Sequence, residues 1–406
     1  MRRTRGQRKW VFAALVAAAA AASTFAAFAA TTEASDSAKA PIVIGYAYDA
    51  IGRMSPIDGP PLTAAQLEVK KLNAKGGVLG RKLEIKTCDT QDSKPEVSRA
   101  CAAKLIGQGA KIMFVTCDVD FSTPAIQESI NKGLLTIAPC IGTDQMGPKR
   151  FGTKGKLAFS IGNVAQDEGA AMAEYAYNVK KWRTAVTVTD NLILFFSDIV
   201  KSFTVRFKEL GGKIVSAESF TNGDKTIQNV ISRVNQQKAD VVATCTSFGD
   251  WPAFMAGFRS LGNKTPILSC WAPDGTYWYP KKPKVTNFWY TTYASVFGDD
   301  PNGDVRTLIG QMKAIGKAPA TGGFVTGAAA IQAVVAAIKQ ANGSTDGKTL
   351  AALFEKFRGL ATISGKISYS TKFHSVFGRP YRIIEVQNNK PKYVASITAT
   401  SPANIG

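Results

Sequence analysis

Residues 42–86 read IVIGYAYDAIGRMSPIDGPPLTAAQLEVKKLNAKGGVLGRKLEIK. Ile42-Val43-Ile44 opens a short apolar strand that runs into a loop of small and polar residues. The spacing of Leu62, Ala65, Val69 and Leu72 then predicts a helix over 61–75. Gly76-Gly77 ends that helix, because a left-handed cap is best served by a residue without a Cβ. Residues 83–86 begin the next strand. A strand, a crossover helix and a second strand make a parallel unit.

The same rhythm continues downstream. Helices are expected over 96–108 and from Pro124, with strands over 112–116 and 134–138. A second round follows: a helix over 163–180, a strand over 184–189, and a helix over 195–210 closed by Gly211-Gly212. Strands over 213–217, 241–244 and 266–269 then alternate with helices over 227–237 and 252–261. Two such rounds predict an α/β molecule of two lobes, each a mostly parallel sheet flanked by helices. After Val285 the pattern changes to a strand over 287–294, helices over 305–315, 325–340 and 348–357, and β-like segments over 365–369 and 381–387. A late return of the chain to each lobe accounts for that order. The expected division is 41–159 plus 290–360 for the first lobe and 160–289 plus 361–406 for the second.

Residues 1–29 stand apart. Arg2, Arg3, Arg5, Arg8 and Lys9 precede an apolar run from Trp10 to Ala22, and Ala27-Phe28-Ala29 supplies small residues at cleavage spacing. This is the pattern of a cleaved secretory signal, and the run is too short for a stable membrane span. The mature chain is expected to be periplasmic and monomeric.

Composition narrows the function. The 406 residues are 45% hydrophobic and 20% charged, an ordinary globular balance. The formal charge is +20, and removal of the five leader cations leaves about +15. No long Lys/Arg stripe with interleaved aromatics occurs, so no nucleic-acid partner is expected. His374 is the only histidine, which excludes multi-histidine metal centres. No metal or cofactor is expected. Gly343-Ser344-Thr345-Asp346-Gly347-Lys348-Thr349 imitates a phosphate loop but lacks its spacing and its preceding strand, and reads as a turn with a helix cap. Nothing assembles a nucleophile, base and oxyanion hole, so the chain does not read as an enzyme.

Ligands of open parallel sheets bind outside the carboxyl ends of the strands. In TCDVDFSTPAIQ (116–127), Phe121, Ser122 and Thr123 follow a strand, with Thr123 as the expected N-cap and Pro124 as the first helical residue. Exposed N–H groups and two hydroxyls there would suit a carboxylate. Aromatic residues fall at three later strand ends: Phe195, then Phe248 and Trp251, then Trp271 and Tyr277. As a set they are expected to wall a pocket.

The loop GYAYDAIGRMSPIDGPP, the stretch LNAKGGVLGRKLEI (72–85), the acids Asp89 and Asp92, and the closing GKISYSTKFHSVFGRPYRIIEVQNNKPKYV (365–394) resemble the branched-chain amino acid type of periplasmic ABC-transporter binding protein. The resemblance runs from Pro41 to Val394. It implies a type I periplasmic binding fold with a hinge of about three crossovers. It implies a protein that captures a small amino-acid-like ligand between its lobes and delivers it to an ABC permease. An amide, urea or aromatic acid as ligand, and a sensing role, are the alternatives. It implies that the ligand carboxylate lies at the Ser122-Thr123 loop and that Gly142 or Thr143 occupies a hydroxyl-bearing position. Phe195 stands where a tyrosine is common, and Asp274 is the match for the acid that pairs an ammonium, with Asp250 as competitor. His374 is assigned a structural role. The six cysteines order most simply as Cys88–Cys101, Cys117–Cys140 and Cys245–Cys270, with Cys88–Cys117 as an alternative that the family implies.

Overall fold

The computed structural model describes residues 39–140 and 142–406. The expected signal segment lies outside the described residues. The chain begins β1 (Ile42–Tyr48), α1 (Ser55–Ala74), β2 (Leu83–Asp89), α2 (Pro95–Gly107), β3 (Ile112–Phe114), α3 (Val119–Asn131), β4 (Leu135–Ala138), α4 (Pro148–Phe151) and β5 (Ala158–Asn163). It continues α5 (Ala165–Glu174), β6 (Thr184–Asp190), α6 (Leu194–Glu209), β7 (Lys213–Phe220), α7 (Ile227–Asn235), β8 (Val241–Cys245), α8 (Asp250–Ser260), β9 (Ile267–Ser269) and β10 (Phe288–Thr292). Then come α9 (Gly303–Ala314), α10 (Phe324–Gln340), α11 (Gly347–Phe354), the short hairpin β11 (Leu360–Thr362) and β12 (Gly365–Ile367), β13 (Ser375–Val376), β14 (Tyr381–Gln387) and β15 (Lys390–Ile397).

One sheet has the order β13-β5-β4-β3-β1-β2 and is parallel throughout. The other has the order β15-β14-β10-β9-β8-β6-β7 and is parallel except at β14 and β15. Helices flank both. Residues 361–406, expected wholly in the second lobe, are divided: β13 joins the first sheet beside β5, and β14 and β15 join the second. The phosphate-loop imitation is a turn in which Asp346 caps α11 by accepting from the Thr349 N–H at 2.8 Å.

Two boundaries depart from the sequence reading. α1 starts at Ser55, six residues before the expected Pro61, and carries Pro60 and Pro61 inside it. Its first turn is held by tertiary bonds: the Asp58 carboxylate accepts from the N–H groups of Asp49 at 2.8 Å and Cys117 at 2.9 Å. The segment expected as one helix over 163–180 is preceded by β5, which was not anticipated. α5 follows it and ends in one π turn over Tyr175–Val179. The end of α1 conforms to expectation. Gly76 N bonds Asn73 O, Gly77 N bonds Leu72 O, and both glycines have positive φ. α10 is apolar on nearly every face and is buried accordingly. At Gly327 it crosses α1 so closely that an added Cβ would lie 1.9 Å from the Pro61 carbonyl oxygen.

The chain passes between the sheets three times: after β5, after β10, and between β13 and β14. A buried polar cluster ties these passages together. The Asn163 N–H donates to the Tyr293 hydroxyl at 3.1 Å, and that hydroxyl donates to the Cys140 carbonyl at 2.9 Å. Gly378 N–H donates to Asp167 at 3.2 Å. Glu168 accepts from Trp271 N–H at 2.8 Å and the Thr291 hydroxyl at 2.5 Å. The Arg379 guanidinium sits 4.5 Å from the Tyr293 ring centroid. Burial drives the carboxyl of Asp167 up to about 7 and that of Glu168 up to about 8.

Candidate functional site

The carboxyl ends of both sheets face each other, and the loops leaving them meet. In the first lobe, Asp49 follows β1 and accepts from the N–H groups of Gly52 at 2.7 Å and Met54 at 3.0 Å. Asp58 reaches across to the loop after β3. Both carboxylates are buried, and desolvation lifts Asp58 to about 7.

The beginning of α3 corrects the sequence reading. The N-cap is Asp118, not Thr123. Its carboxylate accepts from the N–H groups of Asp120 at 2.8 Å and Phe121 at 3.1 Å. Ser122 and Thr123 therefore lie inside the helix. Their hydroxyls donate to the carbonyls four residues back, those of Asp118 and Val119. Helix N–H groups that would suit an external carboxylate are engaged by one the chain carries itself. Burial, with Asp120 adding repulsion, raises Asp118 to about 7, and its Oδ2 has no hydrogen-bond partner among the described residues.

Asp120 joins the lobes. One oxygen accepts from Arg150 at 2.5 Å and the other from the Leu194 N–H at 2.8 Å, across the gap. Leu194 is the first residue of α6, whose N-cap position holds Ile193 and offers no side-chain acceptor. An aspartate of one lobe thus supplies the missing cap of a helix in the other. Beside it, Phe121 meets Phe248 edge-on at 6.3 Å, Phe248 meets Phe196 at 5.9 Å, and the Arg53 guanidinium lies 5.5 Å from the Phe121 centroid. Arg53 also pairs with Asp92 at 3.1 Å. A cavity of about 240 Å³ opens here, lined by Arg53, Ser247, Phe248, Gly249, Tyr277 and Trp278.

The second-lobe loops are organised by Asp190, at the end of β6. It accepts from the Thr246 hydroxyl at 2.7 Å, Leu192 N–H at 3.0 Å and Asn222 N–H at 3.1 Å. Ser247 then bonds the Ala272 carbonyl at 3.1 Å, linking successive loops.

Of the residues expected at the site, Phe248 and Tyr277 line this cavity, and Phe121 packs against Phe248 and Arg53 beside it. Phe195 is buried behind it with Phe196. Trp271 is buried deeper, 5.4 Å from Tyr293 at the crossovers. Trp251 lies in a separate core with Phe254, Trp278 and Phe288, because α8 turns its indole onto the sheet. Asp274 is buried with its oxygens engaged by Gly275 N–H at 2.7 Å, the Thr292 hydroxyl at 2.6 Å and Gly322 N–H at 2.5 Å. Desolvation raises it to about 6. Asp250 accepts from Gly223 N–H at 2.6 Å, and Thr143 accepts from Gln145 N–H at 3.2 Å. Sequence reasoning did not single out Arg53, Asp58, Asp118, Asp120 or Trp278. Asp118 and Asp120 did carry a signal, an N-cap acid and a first-turn acid, which the Thr123-Pro124 pair outcompeted.

The three disulfides are Cys88–Cys101, Cys117–Cys140 and Cys245–Cys270. His374 is buried, stacked on Phe159 at 4.2 Å, far along the sheet from the gap.

The family model described as periplasmic binding protein matches residues 41–391. The chain belongs to the periplasmic binding protein family. This binding protein is 21% identical over 334 residues to the Leu/Ile/Val-binding protein BraC3 of Rhizobium johnstonii, covering 80% of this chain and 88% of that one. Among solved structures, the branched-chain amino acid transporter substrate binding protein LivJ of Streptococcus pneumoniae, in complex with isoleucine, superimposes with a TM-score of 0.75. It is 18% identical, with 88% of this chain and 99% of that chain covered. A solute binding protein of an R. palustris ABC transporter, in complex with benzoate, superimposes with a TM-score of 0.72 at 19% identity, with 90% and 97% covered. The fold is the two-lobed type I periplasmic binding fold. A second curated relative, of Citrobacter freundii, is likewise a Leu/Ile/Val-binding protein, 23% identical over 325 residues. No helix among the described residues is long and apolar enough to cross a membrane.

Proposed function

We propose that this protein captures a small organic solute between its lobes and hands it to the permease of an ABC importer, and that the solute has an aromatic or bulky apolar body with an anionic group. The observation that carries the ligand class is the interlobe cavity, lined by Phe248, Tyr277 and Trp278 and by one guanidinium, Arg53, which Asp92 holds in place and Phe121 flanks. Aromatic walls beside the free N–H groups of a guanidinium favour a flat acid. The benzoate complex of the R. palustris neighbour supports the same reading. Capture works by differential contact: a solute touching both lobes stabilises only the closed arrangement. That the relatives serve transport supports a permease as partner.

A second reading is an α-amino acid, supported by the Leu/Ile/Val-binding relatives and by Oδ2 of Asp118, which has no hydrogen-bond partner among the described residues and would accept an ammonium. A thermal-shift and calorimetric screen with benzoate, phenylalanine and leucine separates the two. A ligand at a hundred times its dissociation constant stabilises by about 2.7 kcal/mol. On the first reading benzoate binds, and Phe248→Ala and Arg53→Gln weaken it while Asp118→Asn does not. Tight leucine binding abolished by Asp118→Asn would replace the first reading with the second. No stabilisation by any small solute would count against both.

A further inference from the structure

The first lobe has a second cavity, of about 770 Å³, on the edge where β4 and β5 begin, opposite the strand ends that carry the interlobe site. Three elements wall it: the end of α3, the 3₁₀ turn over Gly152–Leu157, and one face of α11. Its floor is apolar, made of the buried side chains of Ile130, Leu157 and Ala351. Its rim carries four exposed cations, Lys132, Lys154, Lys156 and Lys348. None of the four takes part in an ion pair among the described residues. Lys154 donates to the Asn131 amide oxygen at 3.0 Å.

The carboxylates nearby are already engaged. Asp346, whose field reaches Lys348, accepts from both the N–H and the hydroxyl of Thr349 at 2.8 Å. Glu355, the one acid in the lining, turns to His374, with Oε1 3.0 Å from Nε2. The other ring nitrogen, Nδ1, lies 2.9 Å from the Ala158 carbonyl oxygen. A carbonyl only accepts, so Nδ1 must hold a proton. Glu355 is thereby engaged within the wall, and the four rim lysines are left without a carboxylate partner among the described residues. The wall is also held firmly: at Gly347, which opens α11, an added Cβ would lie 2.0 Å from the Gly133 carbonyl oxygen, so the two backbones touch.

We propose that this cavity is a second ligand site, for a small amphipathic anion whose apolar body rests on Ile130, Leu157 and Ala351 while its carboxylate or sulfonate lies among the four lysines. The volume falls within the range of small-molecule sites, roughly 300–1,000 Å³, and an apolar floor with a few convergent charges is their usual make-up. The site is separate from the interlobe cavity, so it stands whether or not the proposed solute of that cavity is correct.

The test uses the mature chain with 8-anilinonaphthalene-1-sulfonate as a fluorescent probe and octanoate as competitor. One saturable probe site per chain is expected. Octanoate should displace the probe at concentrations where 1-octanol and inorganic phosphate do not, and added salt should weaken binding. The double variant Lys132→Gln/Lys348→Gln and the mouth-filling variant Ala352→Trp, both at exposed positions, should each weaken the probe at least tenfold. Absence of saturable binding, or binding unchanged in both variants, would overturn the proposal. Displacement by phosphate as effective as by octanoate would reduce the cavity to a plain patch of positive charge. Loss of the probe in Phe248→Ala but not in the cavity variants would place it in the interlobe site instead, with the same consequence.

Discussion

Replacing Asp120 with alanine tests how the lobes are held together. Its carboxylate does two things: it pairs with Arg150 within the first lobe and caps α6 of the second through the Leu194 N–H at 2.8 Å. Only the second bond is lost when the lobes part. A capping oxygen contributes about 1 kcal/mol, within a range of 0.5–2. A negative charge at a helix N-terminus contributes roughly 0.3–1 kcal/mol more. Ile193 cannot substitute, so Asp120→Ala should disfavour the closed arrangement by about 1–2 kcal/mol. That is roughly a five- to thirty-fold change in the ratio of closed to open molecules. Small-angle scattering of the free chain and calorimetry with a bound solute read this from two sides. If the free chain is mostly closed, its radius of gyration rises; if mostly open, the solute dissociation constant rises by the same factor. Arg150→Ala, which spares the Leu194 bond, should do much less. Should Asp120→Ala change neither the scattering profile nor the affinity, the interlobe cap contributes nothing and the reasoning fails.

Three further outcomes are expected. Stability should fall between about pH 5 and pH 8.5, because Glu168 is lifted to about 8 and Asp58 to about 7. The folded chain then holds protons that the unfolded chain has released, so its advantage is complete below the ordinary carboxyl range and is lost as pH rises through 7 to 8. Glu168→Gln, which keeps an acceptor for Trp271 and Thr291, should flatten the decline in calorimetry, and a melting temperature that rises over this interval would contradict the assignment. Exposed carboxyls held below their ordinary values, such as Asp92 and Asp240, act at lower pH and leave this window untouched. Gly327→Ala should destabilise by about 1–3 kcal/mol in urea, since α1 and α10 must separate to admit the methyl; an unchanged midpoint would show that they can. Replacing Cys245 and Cys270 together by alanine should cost about 2–4 kcal/mol, checked by the same urea titration.

The parts of the fold that announced themselves were those with a clean period or an unambiguous stop. α7 shows its buried stripe as Ile227, Val230, Ile231 and Val234, and α1 shows its end as Gly76-Gly77. β5 did not, because all six residues of AFSIGN are buried and no alternation marks them. The start of α1 was hidden for the opposite reason: Pro60 and Pro61 look like a beginning, while Asp58, bound to residues elsewhere in the chain, makes the beginning earlier. The site was harder still. Phe121 and Phe248 could be named from their strand ends, but Asp274 could not be distinguished from a ligand-facing acid. Its partners Thr292 and Gly322 are 18 and 48 residues away. Trp251 follows its strand end as expected, yet its ring is buried against Phe254, Trp278 and Phe288. Direction, unlike position, is set by packing across the whole lobe.

The three sulfur bridges join cysteines strictly in order of appearance, first to second, third to fourth and fifth to sixth. A polypeptide fed end-first into an oxidising compartment would therefore present each thiol with its proper mate as the very next one to arrive. Sequential oxidation would then give the native set directly. Every link also stays within one half of the molecule, so none of the three ties the jaws to each other.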